Sequence, residues 1–167
     1  MQASLEILKL VFIFILGLCT GSFLNVLIYR LPRNISIVRP GSLCPYCHRS
    51  IRWYDNLPLV SFLVLRGRCR WCKKPISFRY FLVELLTALV FVFLYNQFGL
   101  GPKFFSSCIF SSLLIVSAST DLEHRIIPDQ INIGGLFAGL ALSFFFPSLH
   151  DSPFFNFSSA RMSSLID

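Results

Sequence analysis

Four cysteines stand as two Cys-x-x-Cys pairs in one short, basic segment of the chain. The copies read CPYCHRSI at 44–51 and CRWCKKPI at 69–76, and both follow the pattern Cys-x-x-Cys-basic-basic-x-Ile. Two such hairpins facing each other present four thiolates at tetrahedral spacing, which is the usual four-cysteine zinc site. A closed metal site can fold a loop that is too polar and too short to build a core. The predicted structural zinc ligands are Cys44, Cys47, Cys69 and Cys72.

Redox exchange is the alternative chemistry for these pairs, and a metal-regulated sensor is a third, weaker interpretation. No thioredoxin-like strand–helix pattern surrounds either pair, and a reducing cytoplasm favours metal ligation over disulfides. The two remaining cysteines, Cys19 and Cys108, lie in apolar stretches, where we expect them to be small packing residues.

A second polar cluster, TDLEHRIIPDQIN at 120–132, contains the aspartates Asp121 and Asp129. The simplest interpretation is a solvated turn between two membrane helices. The alternative is acid–base chemistry, because two close carboxylates share one proton and their pKa values move apart. One carboxylate can then take a proton from water while the other donates one to an amide. Desolvation at a membrane edge would raise the higher of these pKa values further.

The spacing of these aspartates limits what the sequence alone supports. On a continuous helix, Asp121 and Asp129 would stand about 12 Å apart, which is too far to share a proton. Pro128 prevents a helix from running straight through and could shorten this distance. The chain therefore offers one good carboxylate, Asp121, and an uncertain second. Glu84 lies one turn into an apolar stretch and has two possible interpretations. It is either a functional or paired group, or a carboxylate that snorkels toward the basic loop.

Long apolar blocks surround both clusters and must position them. The 167 residues are 54% hydrophobic and 14% charged, with a mean hydropathy of +0.67, whereas soluble domains carry about 25% charged residues. Four stretches approach the roughly 20 apolar residues that a membrane span needs: 8–29, 81–98, 104–120 and 131–147. We predict an all-α polytopic membrane protein of about four transmembrane helices with a small zinc-ribbon-like loop domain.

The predicted organisation has four parts. Residues 1–29 form the first transmembrane helix, an uncleaved anchor that ends in the GSFLNV motif, and 30–80 form the basic four-cysteine domain. Residues 81–147 form three further helices with the Asp121 segment, and 148–167 are a polar tail.

The net charge of +7 is concentrated in one loop. Residues 30–79 hold eleven of the fifteen Lys and Arg and a single acid, Asp55. Such a surplus marks the cytoplasmic side, which places the N-terminus outside and the zinc loop inside. The same charge could indicate nucleic acid, but we favour a loop beside anionic lipid headgroups and expect no nucleic-acid partner.

Small and polar residues predict how the helices pack. Gly17 and Gly21 form a GxxxG pair, and Gly135 and Gly139 repeat the spacing, so both pairs favour close helix approach. Asn25 is costly in hydrocarbon and should face the bundle. In the loop, prolines argue against long helices, and residues 57–65 could either pair as a strand or lie against the bilayer.

The ordered motifs resemble the prepilin leader peptidases of type IV pili and type II secretion. The resemblance rests on GSFLNVLIYRLP at 21–32, the two cysteine pairs with the segment between them, ISFRYFLVELLTA at 76–88, and TDLEHRIIPDQIN at 120–132. It therefore covers nearly the whole chain up to about residue 147.

The resemblance implies an intramembrane aspartyl endopeptidase in the bacterial inner (plasma) membrane. Such an enzyme removes the leader of a prepilin or pseudopilin on the cytoplasmic side, and many members also methylate the new N-terminus with S-adenosylmethionine. By motif position, Asp121 corresponds to the first catalytic aspartate, and Asp129 is given a supporting role. The four cysteines correspond to the zinc ligands.

One departure from the family concerns the second catalytic aspartate, which lies in a Gly-x-Gly-Asp motif. The 167 residues contain no such motif. We expect a C-terminally truncated member, whose tail leads to spans that are missing and which does not cleave prepilins alone. The competing hypothesis is a non-catalytic membrane protein whose zinc loop docks a partner.

Overall fold

Five α-helices account for most of the chain in a computed structural model, which describes residues 2–39, 41–125 and 129–145. The helices are α1 (Gln2–Arg30), α2 (Val60–Val64), α3 (Phe78–Phe98), α4 (Pro102–His124) and α5 (Asp129–Phe145). Short 3₁₀ turns occupy Leu31–Arg33 and Trp53–Asn56. The described residues contain no regular strand, so the predicted all-α class with a small cysteine loop is confirmed.

Three helical segments of the described chain are long and apolar enough to cross a membrane: Ser4–Arg33, Phe78–Phe98 and Pro102–Glu123. They correspond to the first three predicted spans. The fourth predicted stretch coincides with α5, which is 17 residues long, and its last two residues lie outside the described chain. The chain is therefore a multi-pass membrane protein built from these helices.

Local sequence explains where these helices begin and end. The Ser77 hydroxyl accepts a hydrogen bond from the backbone N–H of Arg79 and caps α3. At the other end, Gly99 has a φ of 63°, a conformation that glycine adopts without a steric cost. Pro102 opens α4, where its missing N–H would have no helical partner.

The closest packing joins α1 to α3. A Cβ added at Gly17 would lie 2.5 Å from Cα of Ala88, and one added at Gly21 would lie 2.7 Å from Cα of Glu84. Such distances mean that the two backbones touch, so the first GxxxG pair acts as predicted.

The second glycine pair does not act in this way. Among the described residues, a Cβ at Gly135 would meet only the tip of Leu113, and one at Gly139 would meet nothing within 4 Å. Within the described residues the second pair therefore makes no close helix contact, because glycine spacing does not specify whether a partner helix lies opposite.

Two apolar clusters hold the described helices together. One contains Leu24, Ile28, Val83, Val116 and Ile131, and the other contains Ile13, Phe91, Phe104 and Cys108. Cys108 is a packing residue as predicted, whereas Cys19 is exposed on α1. Asn25 is buried and its side-chain amide donates to the backbone oxygen of Tyr80 at 3.0 Å, which confirms that it faces the bundle.

Candidate metal centre and acidic segment

The two Cys-x-x-Cys pairs adopt the same backbone structure. Cys44 donates its N–H to the oxygen of Arg49 at 3.0 Å, and Cys69 donates to Lys74 at 2.9 Å. An isolated antiparallel bridge closes each turn, between Leu43 and Ser50 in the first copy and between Arg68 and Pro75 in the second. The repeated sequence therefore folds twice into the same hairpin, without longer strands.

A left-handed residue follows each pair. His48 has a φ of 56° and Lys73 a φ of 58°, and each donates its N–H to the oxygen of the first cysteine of its own pair, at 2.9 and 3.0 Å. This conformation turns the chain sharply enough for both sulfurs of a pair to point the same way. It costs energy for any residue with a Cβ.

The four sulfurs converge between the hairpins. The Sγ atoms of Cys44, Cys47, Cys69 and Cys72 all lie within 4.8 Å of one another. Cys44 and Cys72 are from different hairpins, and their sulfurs are 3.8 Å apart. A tetrahedron with Zn–S bonds of about 2.3 Å has edges of about 3.8 Å, so this donor set fits zinc. Four thiolates close the coordination sphere, which is typical of a structural rather than a catalytic site.

Backbone N–H groups favour the ligand form of one of these thiols. The N–H groups of Cys72 and Trp71 point at the Cys69 sulfur and lower its pKa to about 7, against the smaller opposing effect of burial. Metals bind the thiolate rather than the thiol. These N–H groups therefore favour the thiolate of Cys69, whereas, against the opposing N–H of Lys74, burial and the neighbouring cysteines raise the pKa of Cys72 to about 11.

The guanidinium of Arg30 secures the segment that leads into the metal loop. It donates to the backbone oxygens of Ser36 at 2.8 Å, Ile37 at 3.1 Å and Gly41 at 3.0 Å. The planar guanidinium holds its donors in a rigid fork, so it can fix several carbonyls in set directions from one position. Sequence reasoning counted Arg30 as one of many loop charges and missed this role, because its acceptors are backbone atoms.

Asp55, the single acid of the basic loop, is held in an ion pair rather than freely solvated. It pairs with Arg70 through both carboxylate oxygens, with contacts between 2.5 and 3.1 Å. The guanidinium lowers the pKa of Asp55 below its usual value. This pair joins the 3₁₀ turn at Trp53–Asn56 to the second cysteine hairpin.

The two candidate catalytic aspartates lie on different helices. Asp121 is in the last turn of α4, which ends at His124, and Asp129 is the first residue of α5. The helix therefore does not continue from one to the other, although Pro128, the expected cause, lies outside the described residues. Both are exposed in the chain, so the predicted desolvation of Asp121 is not provided by these residues.

An ion pair attaches the acidic segment to the end of the metal loop. Glu123, two residues after Asp121, pairs with Arg79 in the first turn of α3. The loop domain, the start of α3 and the end of α4 thus meet at one end of the bundle. The sequence placed Arg79 in the basic loop and Glu123 in the acidic segment, but it did not predict that the two residues pair.

Glu84 is buried and paired rather than snorkelling. Its side chain lies in the second turn of α3, and Oε2 accepts the backbone N–H of Leu59 at 2.8 Å. Leu59 has a φ of 56° and immediately precedes α2. Glu84 therefore attaches the middle of the metal loop to the helical bundle.

Two comparisons with known proteins agree on the class of this protein. The family model of the Bacterial Peptidase A24 N-terminal domain matches residues 15–98. This range includes the GxxxG contact, the whole four-cysteine loop and α3. The chain belongs to this family, and the predicted resemblance is confirmed.

Several curated relatives carry the name prepilin leader peptidase/N-methyltransferase. The protein from Myxococcus xanthus is 51% identical over 134 residues, which are 80% of this chain and 40% of that protein. The Klebsiella pneumoniae protein is 41% identical, over 77% of this chain and 59% of its own length. The Bacillus subtilis protein is 40% identical, over 72% and 49%.

The chain thus spans about half the length of the curated relatives that it matches. No solved structure matches it. The comparisons therefore show that the chain belongs to an enzyme family whose named members process prepilin leaders.

Proposed function

We propose that this chain supplies the zinc loop and the first catalytic carboxylate of a membrane aspartyl endopeptidase. The enzyme would remove the leader of a type IV prepilin or pseudopilin on the cytoplasmic side of the bacterial inner membrane. The observation that carries the proposal is the position of Asp121 at the end of α4, next to the Arg79–Glu123 pair that joins α4 to the loop end of α3. The names of the relatives supply the substrate class.

Asp121 suits one half of peptide hydrolysis. A carboxylate can take a proton from an attacking water, but a second carboxyl group must protonate the leaving amide. Asp129 opens the next helix and is the candidate within this chain, in the supporting role predicted for it. The sequence contains no Gly-x-Gly-Asp motif, and our prediction that these 167 residues do not cleave by themselves remains a prediction.

Substitution in a full-length version of the protein tests the proposal. Asp121→Asn preserves shape but removes the base, so we expect leader cleavage to fall by at least 10²-fold while membrane expression is unchanged. Asp55→Asn is the matched control, because that carboxylate lies in the loop and pairs with Arg70. Full cleavage by Asp121→Asn would refute the assignment of Asp121, whereas a wild-type full-length protein that cleaves no prepilin would favour the non-catalytic docking module. Processing of a prepilin by the 167-residue chain alone would instead make Asp129 the second carboxylate.

We also propose that the four-cysteine site binds structural zinc. Elemental analysis of purified protein should give one zinc per chain, and Cys69→Ser should abolish it. Cys19→Ser is the control, because Cys19 is exposed on α1, away from the site. Zinc that is lost on washing or mild chelation would indicate a regulatory rather than a structural ion.

Methyl transfer is the second activity that we propose, on the names of the relatives alone. S-adenosylmethionine would be the methyl donor. Mass spectrometry of mature pilin from cells with the full-length protein should show an added N-terminal methyl group. An unmethylated mature N-terminus would restrict the proposal to cleavage.

A further inference from the structure

The short helix α2 is fixed beside the first two turns of α3. The Leu59 N–H donates to Glu84, and the Phe62 ring packs against Phe78 and Phe81 at centroid distances of 6.1 and 5.5 Å. Because α3 is long and apolar enough to cross a membrane, its first turns lie at the level of the lipid headgroups. α2 must therefore lie at the same depth.

The opposite face of α2 is apolar and open. Val60, Leu63 and Val64 are 55%, 64% and 71% exposed. Their spacing of i, i+3 and i+4 puts all three on one side of the helix. Phe62 points the other way, into the aromatic contact with α3. An apolar face at headgroup depth would meet the boundary between headgroups and acyl chains.

Basic side chains lie directly next to this face. A cleft of about 400 Å³ is lined by Val64, Leu65 and Cys69 together with four basic residues: Arg66, Arg68, Arg70 and Lys73. Arg70 pairs with Asp55. The other three are exposed and have no ion-pair partner within the part of the chain that the structure describes.

We propose that α2 and this cleft form a docking surface for the anionic lipid leaflet on the loop side of the membrane. Val60, Leu63 and Val64 enter the acyl boundary, while Arg66, Arg68 and Lys73 bind lipid phosphates. An apolar helix face next to a basic cluster is the combination that interfacial segments use. The surface holds the metal loop flat on the membrane, whether or not the protein is a peptidase.

A tryptophan probe can measure the depth of α2 in the complete protein. Trp53 and Trp71 are first replaced by Phe, and a single Trp is placed at Leu63 or, as the matched control, at Val38. Val38 is an apolar loop residue, 82% exposed, outside the proposed surface. The protein is reconstituted in phosphatidylcholine vesicles with brominated acyl chains, with or without phosphatidylglycerol. Circular dichroism confirms that each variant is folded.

We expect bromine to quench the Trp of Leu63→Trp strongly and that of Val38→Trp weakly, and phosphatidylglycerol to deepen the Leu63→Trp quenching. Replacing Arg66, Arg68 and Lys73 by Gln should remove the phosphatidylglycerol effect, with each charge changing the ratio of docked to undocked α2 by about fivefold.

Three results would overturn the proposal. Equal quenching at the two positions would mean that α2 does not enter lipid. If the quenching changes neither with phosphatidylglycerol nor with the Gln substitutions, phosphate binding is excluded. A Leu63→Trp probe shielded from bromine and from aqueous acrylamide alike would show that protein, and not lipid, covers this face.

Discussion

Replacing Gly17 by Ala tests whether backbone contact between α1 and α3 holds the bundle together. The new Cβ would lie 2.5 Å from Cα of Ala88 and 3.2 Å from the backbone oxygen of Thr87. Both atoms belong to the backbone of a long helix, so no side-chain rotation can relieve the clash. The two helices must move apart.

The size of this movement follows from ordinary contact distances. Carbon atoms in contact lie about 3.5–4.0 Å apart, so the helices must separate by about 1.0–1.5 Å at this point. A gap of about 1 Å removes up to about half of the dispersion energy of each atom–atom contact across it. We expect overpacking to destabilise the protein by about 1–3 kcal/mol, which is a factor of about 5–150 in the unfolding equilibrium.

The second GxxxG pair supplies the matched control. Gly139 lies in α5 with nothing within 4 Å of its added Cβ, so Gly139→Ala makes the same chemical change without a clash. Alanine is the better helix former by about 0.5–1 kcal/mol, and this variant should be as stable as the wild type or more so. The assay is unfolding of the purified protein by SDS in mixed micelles, followed by far-ultraviolet circular dichroism.

The reasoning fails if Gly17→Ala unfolds at the same SDS fraction as Gly139→Ala. Gly21→Ala provides an independent check, because its Cβ would lie 2.7 Å from Cα of Glu84. It should also destabilise the bundle, by an amount within the same range.

Substitutions at three further positions probe the attachment of the metal loop. Glu84→Gln keeps an oxygen that can accept the Leu59 N–H, so hydrogen exchange at that amide should stay slow, whereas Glu84→Leu should accelerate it by about tenfold or more. Arg30→Lys replaces the rigid guanidinium fork by a single ammonium group, so the amides of residues 36–39 and of Gly41 should exchange faster. Lys73→Gly relieves the left-handed conformation at a net gain of about 0.5–1 kcal/mol, so a chelator should remove the metal from the loop several-fold more slowly.

Each substitution has its own control. Arg39→Lys changes an exposed arginine of the same segment and should leave exchange unaltered, so an equal effect would dismiss the role of Arg30. Lys74→Gly removes the same charge where φ is not positive, and it should speed metal release. Faster release from Lys73→Gly would contradict the strain at that position. Fast exchange in Glu84→Gln would show that charge, rather than geometry, holds Leu59.

The repeated pattern Cys-x-x-Cys-basic-basic-x-Ile was enough to predict that four cysteines converge in an arrangement that could hold a metal ion. Each copy is local, and its hairpin is fixed by hydrogen bonds between residues no more than nine positions apart. The apolar blocks similarly predicted about four membrane helices, and three helices of the described chain are long and apolar enough to cross a bilayer. Of the two alternatives for residues 57–65, the strand does not form; the segment contains α2, which contacts α3 through Leu59 and Phe62.

What the sequence determined by itself is therefore the local chemistry: two cysteine hairpins, a run of membrane helices and an aspartate at a helix end. Only the tertiary structure decided which glycine pair meets a partner, that Glu84 holds Leu59, and that Arg79 reaches Glu123. These choices join residues between 25 and 71 positions apart along the chain. A pattern of neighbouring residues cannot specify such pairs, since the same glycine or carboxylate satisfies it with or without a partner opposite.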